Sequence, residues 1–185
     1  MIIFDLDGTL ADCQHRRHFV EPPEDHCGLC YDFLMDKIPN KDFEQRCLCG
    51  RYPGKWKLDW KAFYEGCDQD KPIYEVISMF WQIDPWLNDV CIWSGRCESV
   101  REKTEVWLLQ HVFKGNFISQ GKVELRMRPE GDYTPDEELK ERWLAEALAE
   151  GDTVSMVFDD RPKVVRMWRS KGIFVFDCNQ SCKEF

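Results

Sequence analysis

The N-terminal string Met1-Ile2-Ile3-Phe4-Asp5-Leu6-Asp7-Gly8-Thr9-Leu10 constrains this chain more than any other stretch. Four apolar residues without polar alternation suit a short strand buried on both faces. The strand delivers Asp5 and Asp7 to its C-terminal end, followed by the turn residue Gly8. In an open α/β sheet that end is where ligands bind. Two carboxylates crowded together repel unless a cation or a shared proton lies between them, and hard divalent cations with oxygen ligands meet that need. Asp-x-Asp alone is common and also reads as a polar turn; the longer Asp-x-Asp-Gly-Thr-Leu is far more specific.

Further along, two more apolar runs end in chemistry. Val90-Cys91-Ile92-Trp93 reads as a strand that stops at Ser94-Gly95-Arg96. A hydroxyl at such an end, followed by Gly95, is placed to bond a phosphate oxygen, and it also suits a helix N-cap. The Arg96 guanidinium beside it can grip phosphate in bidentate fashion. Thr153 to Phe158 reads as a third strand, stopping at Asp159-Asp160-Arg161-Pro162 before a helix from Lys163 to Lys171. Residues 59–80 read as mostly helical, 97–112 as a helix, and Gly172 to Phe176 as a last strand.

The most informative helix spans 135–150. Thr134 is the expected N-cap, Pro135 the first helical residue, Glu137 the partner in a capping box, and Gly151 the stop. On the helical wheel Leu139, Trp143, Leu144, Ala147 and Leu148 share one half, and Lys140 falls near its middle. A lysine there is costly to desolvate unless it meets an anion; the alternative is an ammonium that snorkels past the helix edge. Just before it, Leu125 to Asp132 reads as a basic loop in which Arg128 is the better substrate contact. Arg16 and Arg17, just past the first strand, either reach a substrate phosphate or belong to a solvated helical turn.

In order, these motifs resemble the haloacid dehalogenase-like phosphatases. The resemblance covers residues 1–20 and about 58–185 and implies a doubly wound, parallel α/β sheet. It implies Asp5 as the nucleophile, Asp7 as general acid then base, Ser94 and Lys140 on the phosphoryl group, and a Mg²⁺ ion. Asp5, Asp159 and Asp160 position that ion, with the Asp7 backbone carbonyl assisting. Gly95, Arg96, Arg128 and Arg161 are the expected substrate contacts. More narrowly, Ile92 to Arg96, Arg128 to Asp132 with Lys140, and Asp159 to Arg169 resemble the phosphatase domains of bacteriophage polynucleotide kinase/phosphatases. That implies removal of 3′-phosphates from polynucleotide ends. Free nucleoside monophosphates are the alternative substrate, and a binding module with an inactive core is the alternative of another class.

Residues 21–57 differ in character. Cys27-x2-Cys30 is followed by Cys47-x-Cys49, with His26 as a substitute ligand, in a pattern that resembles a zinc-finger site. Four thiolates around Zn²⁺ would hold together a segment too small for its own core; the alternative is four unrelated thiols. The expected organisation is therefore a phosphatase core of 1–20 and 58–185 interrupted by a zinc-binding insertion at 21–57. Arg51 to Lys57 interleaves basic and aromatic residues, which suits either nucleic-acid stacking or a solvated rim.

Composition narrows the surroundings. A net charge of −9 argues against a broad electrostatic footprint for duplex nucleic acid. No apolar run approaches the roughly 20 residues of a membrane span, and the N-terminus lacks a secretory pattern. A cytoplasmic protein is expected (in the host cytoplasm if phage-encoded), with no membrane and no obligate protein partner. Ten cysteines then point to metal binding or burial before disulfides.

Overall fold

The structure, a computed structural model, describes residues 1–21, 58–115 and 121–179. The proposed zinc ligands Cys27, Cys30, Cys47 and Cys49 lie outside the described residues. The chain divides into two compact units, one of Met1–Cys13 with the chain from Asp68 onward, the other within Gln14–Cys67.

The larger unit is a five-stranded parallel sheet. Its strands are β1 (Ile2–Phe4), β4 (Val90–Cys97), β5 (Glu124–Arg128), β6 (Met156–Asp159) and β7 (Phe174–Asp177), in the order β5-β4-β1-β6-β7. Two very short strands, β2 (Ala11–Asp12) and β3 (Lys71–Pro72), pair antiparallel beside it. The chain builds outward from β1 through β4 to β5, then crosses back to β6 on the other flank of β1. That reversal makes the C-terminal end of β1 a switch point, where α/β sheets bind ligands.

Both faces of the sheet are covered, as the unbroken apolar run of β1 requires. On one face Phe4, Ile92 and Phe158 meet Ile77 and Phe80 of α2 (Tyr74–Ile83) and Trp107 and Leu108 of α3 (Arg101–His111). The rings of Phe4, Phe158 and Phe176 stack in a row across three strands, with centroids 4.3 and 4.6 Å apart. On the other face Ile3, Trp93 and Val157 meet Leu139, Trp143 and Leu144 of α4 (Asp136–Glu150) and Val164 and Trp168 of α5 (Pro162–Ser170).

Several sequence expectations change. Leu125 to Arg128, read as loop, belongs to the edge strand β5. Its alternation is masked because the outward-looking arginines are themselves packed: Arg126 lies over the rings of Trp93 and Trp143, and Arg128 is buried. The strand expected to end at Trp93 runs on to Cys97, with its pairing to β5 shifted between Ser94 and Cys97. Pro135 rather than Thr134 is the N-cap of α4, with no side-chain cap bond. Leu148, placed on the apolar half of the wheel, is exposed.

The smaller unit includes a 3₁₀ segment at Gln14–Phe19 and α1 (Trp60–Glu65), capped by Asp59. Arg16, weighed as a phosphate contact, is fully buried: its guanidinium lies 4.1 Å over the Phe63 ring and donates to the Phe63 carbonyl. Arg17 pairs with Glu21. Cys91, Cys97 and Cys178 form no disulfide. Among the described residues no helix is long and apolar enough to cross a membrane.

The packing makes a clear contrast on one helix. Phe80 of α2 is fully buried and Tyr74 is mostly exposed. Phe80→Ala is expected to cost about 3–5 kcal/mol in urea unfolding followed by far-UV circular dichroism. Tyr74→Ala is expected to stay within about 0.5 kcal/mol of the parent.

Candidate active site

The buried lysine of α4 decides the geometry. Lys140 is 3% exposed, and its Nζ donates to Asp5 Oδ1 at 2.7 Å and to Asp159 Oδ2 at 2.8 Å. Asp5 follows β1 directly, and its backbone N–H bonds the Phe158 carbonyl of β6, which brings the ends of the two central strands together. Burial works to lower the Lys140 pKa, but Asp159 and Asp5 outweigh it and hold the ammonium above its ordinary value. Asp5 goes the opposite way. Burial raises its pKa well above the carboxylate range; Lys140 pulls it down, and Asp159 and Asp160 push it further up.

Carboxylate oxygens of Asp5, Asp159 and Asp160 lie within 4.8 Å of one another, all three residues buried. Three oxygen donors facing one lysine leave surplus negative charge, which fits a hard dication. The turn after β1 lets Asp160 close in. Gly8 has φ +88°, and a Cβ there would sit 2.0 Å from the Asp160 carboxylate, so only glycine fits. Thr9 Oγ1 donates to Asp160 Oδ1 at 3.4 Å. Asp159 is held by Trp168 Nε1 and by the Arg161 backbone N–H, as well as by Lys140.

Asp7 faces another way. Arg96 Nε and Nη2 both donate to Asp7 Oδ1, at 2.9 and 2.5 Å, and Nη2 also reaches Asp70 Oδ2 at 2.6 Å. Arg96 Nη1 meets the Thr104 hydroxyl, and the whole side chain is fully buried. Arg96, expected to contact a phosphate, is engaged here by the carboxylates of Asp7 and Asp70. Ser94 Oγ is buried and accepts the Arg96 backbone N–H, which leaves its own hydroxyl proton to donate.

A second charged cluster lies where β5 leads into α4. Asp136, in the first turn of α4, takes Arg128 Nη2 on one oxygen and Arg161 Nη1 on the other. Arg128 also donates to the carbonyls of Gly95, Asp132 and Thr134, so the loop between β5 and α4 wraps its guanidinium. The Gly95 backbone thus serves as an acceptor for Arg128, and a Cβ on Gly95 would press to 2.9 Å from Asp136. Arg161 Nε is buried without a hydrogen-bond partner among the described residues. Such a donor costs free energy unless something else satisfies it.

Sequence reasoning missed Asp70, Thr104 and Asp136. Asp136 precedes Lys140 by one helical turn, which is a readable signal on the same helix face. Asp70 gives no such signal, because its partner Arg96 is brought to it only by the fold.

Comparison with known proteins sets this core among the haloacid dehalogenase-like phosphatases. The chain belongs to the family described as the polynucleotide kinase PNKP phosphatase domain, whose profile matches residues 59–182. Among solved structures it is similar to a chain of the Pnkp1/Rnl/Hen1 complex, with a TM-score of 0.60 and 24% identity over 95% of this chain and 44% of that one. A chain from a structure of the Pnkp1/Rnl/Hen1 RNA repair complex gives a TM-score of 0.56 at 22% identity, over 95% of this chain and 41% of that one. A haloacid dehalogenase-like family hydrolase from Streptococcus pneumoniae gives 0.51 at 12% identity, over 95% and 82%. These likenesses speak for the fold, and the chain spans less than half the length of the first two. No curated protein matches it.

Asp136 also carries a pH signature. Burial works against its charge, but Arg161, Arg128 and Lys140 prevail and hold its pKa below the ordinary value. With the folded value depressed, the stabilisation is complete above the unfolded carboxylate pKa of about 4 and is lost as pH falls below it. Asp136→Asn is expected to lose about 2 kcal/mol near neutral pH. Urea titrations should also show its stability falling less than the parent's as pH drops from about 5 to 3.

Proposed function

We propose that this chain is a Mg²⁺-dependent phosphomonoesterase that works through an aspartyl-phosphate and removes 3′-phosphates from polynucleotide ends. The observation that carries the reading is the Lys140 bridge between Asp5 and Asp159, with the Asp160 carboxylate close to both, at the switch point of the sheet.

Asp5 is the proposed nucleophile. Its carboxylate oxygen attacks phosphorus in line, and the bond to the leaving sugar oxygen breaks. Asp7, oriented through Oδ1 by Arg96, gives its proton to that oxygen from Oδ2. Water then attacks the phosphorus, Asp7 takes back a proton, and the bond to Asp5 breaks to release inorganic phosphate. Lys140 spends two of its three N–H donors on Asp5 and Asp159, and the third suits a phosphoryl oxygen. Ser94 donates its hydroxyl to another. Donors already fixed in place where charge develops need no reorganisation during the reaction.

Asp5, Asp159 and Asp160 would hold Mg²⁺. Bound there, it would neutralise charge on the transferring group and favour the ionised form of Asp5.

For the substrate, the family match and the Arg128–Asp136–Arg161 cluster support a strand end. Two guanidiniums beside the site suit a second phosphate, and the unpartnered Arg161 Nε supplies a donor. The zinc-binding insertion at 21–57 remains part of the proposal, with Cys27, Cys30, Cys47 and Cys49 as its ligands.

Folded Asp5→Asn is expected to lose about a thousand-fold or more of phosphate release from a 3′-phosphorylated oligonucleotide. Residual activity within ten-fold of the parent would overturn the nucleophile assignment. Removing divalent cations with chelator should abolish turnover, and added Mg²⁺ should restore it. A 3′-phosphorylated oligonucleotide should exceed every free mononucleotide in kcat/KM, and its KM should rise more steeply with salt, as contact with more than one phosphate requires.

A further inference from the structure

Between the two carbonyls that hold Arg128 stands an aromatic side chain the mechanism does not use. Tyr133 lies between Asp132 and Thr134, and both neighbours' carbonyls accept from Arg128 Nη1, at 3.2 and 2.6 Å. The loop around it is tightly tied. Thr134 N–H bonds Asp132 Oδ1 at 2.8 Å, Asp132 Oδ2 takes Arg142 at 2.5 Å, and the Asp132 N–H bonds the Pro129 carbonyl. Gly131 turns the chain at φ +80°, and Pro135 fixes the entry to α4. Yet the Tyr133 ring is 89% exposed, the most exposed large hydrophobic side chain among the described residues.

A single exposed aromatic is ordinary on a protein surface. This one differs in where it stands and how it is held. It projects from a loop tied by hydrogen bonds, just after β5 and before α4. The backbone on either side of it grips one of the two arginines proposed to take a strand phosphate. An aromatic ring beside a phosphate-binding arginine is how proteins hold single-stranded nucleic acid, because every base offers a π-face whatever its identity.

We propose that Tyr133 is a stacking platform for a nucleobase near the 3′ end of the substrate strand, so that this loop reads both parts of a nucleotide. Arg128 and Arg161 take the phosphate, and the Tyr133 ring takes the base. The inference rests on the polynucleotide reading above. It adds a specificity-determining residue, and it implies little preference among the four bases.

The test compares the parent with Tyr133→Ala and Tyr133→Phe on two 3′-phosphorylated oligonucleotides of equal length, one with all its bases and one abasic over its last three positions. On the base-bearing strand Tyr133→Ala should lose about ten-fold in kcat/KM, mostly through KM, and Tyr133→Phe less than two-fold. On the abasic strand the gap between parent and Tyr133→Ala should close to less than two-fold, because the ring and the base then act as one coupled pair. An equal loss on both strands would make Tyr133 a loop-structure residue, and no loss on either would remove it from the site; both overturn the platform. A parent enzyme that turns over neither strand better than a simple sugar phosphate would overturn the polynucleotide reading, and the platform with it. That failure shows in the parent alone, whereas failure of the platform shows only in the variants.

Discussion

An ammonium shared between two buried carboxylates is the contact on which this structure turns. Lys140 comes from α4, Asp5 from the end of β1 and Asp159 from the end of β6, and no two of them are near neighbours in the chain. Moving three charges out of water is expensive, and their mutual attraction offsets that cost only with good geometry. Parallel pairing supplies the geometry, since β1 and β6 end level with each other and α4 packs across them. The same economy explains the local chemistry. One lysine leaves the Asp5–Asp159–Asp160 group short of positive charge, which suits it to a cation.

The second half of the site is built on the same logic with arginines. Arg96 is sunk fully into the protein and divided between Asp7 and Asp70. Arg128 and Arg161 share Asp136, which keeps two like charges together. The cations are shared out among the acids: Lys140 between Asp5 and Asp159, Arg96 between Asp7 and Asp70, and two guanidiniums on Asp136.

Much of this is legible in the residues. An apolar run ending in Asp5 and Asp7 marks both a buried strand and its functional end, and a lysine amid Leu139, Trp143 and Leu144 announces that an anion waits opposite. Other features are not legible, for physical reasons. Arg126 hides an edge strand because its guanidinium lies on tryptophan rings, so the sequence looks polar where the chain is packed. Arg96 follows Ser94 by two residues, and nothing local in the sequence shows that Asp70, on a distant segment, bonds it as well. Asp136 passes for an ordinary acid in a first helical turn until the fold brings Arg161 to it. In each case the local pattern is sound, and a partner far along the chain decides what it means.

The position of β1 in the sheet has a consequence for how the molecule comes together. Ile2 pairs with Val90 on one side and with Met156 on the other. Among the strands of this sheet the central one is therefore made first, and its second neighbour only after β4 and β5. Such long-range pairing slows folding and keeps apolar strand surface waiting for cover. Asp5, Asp159 and Lys140 come together only when β6 docks beside β1.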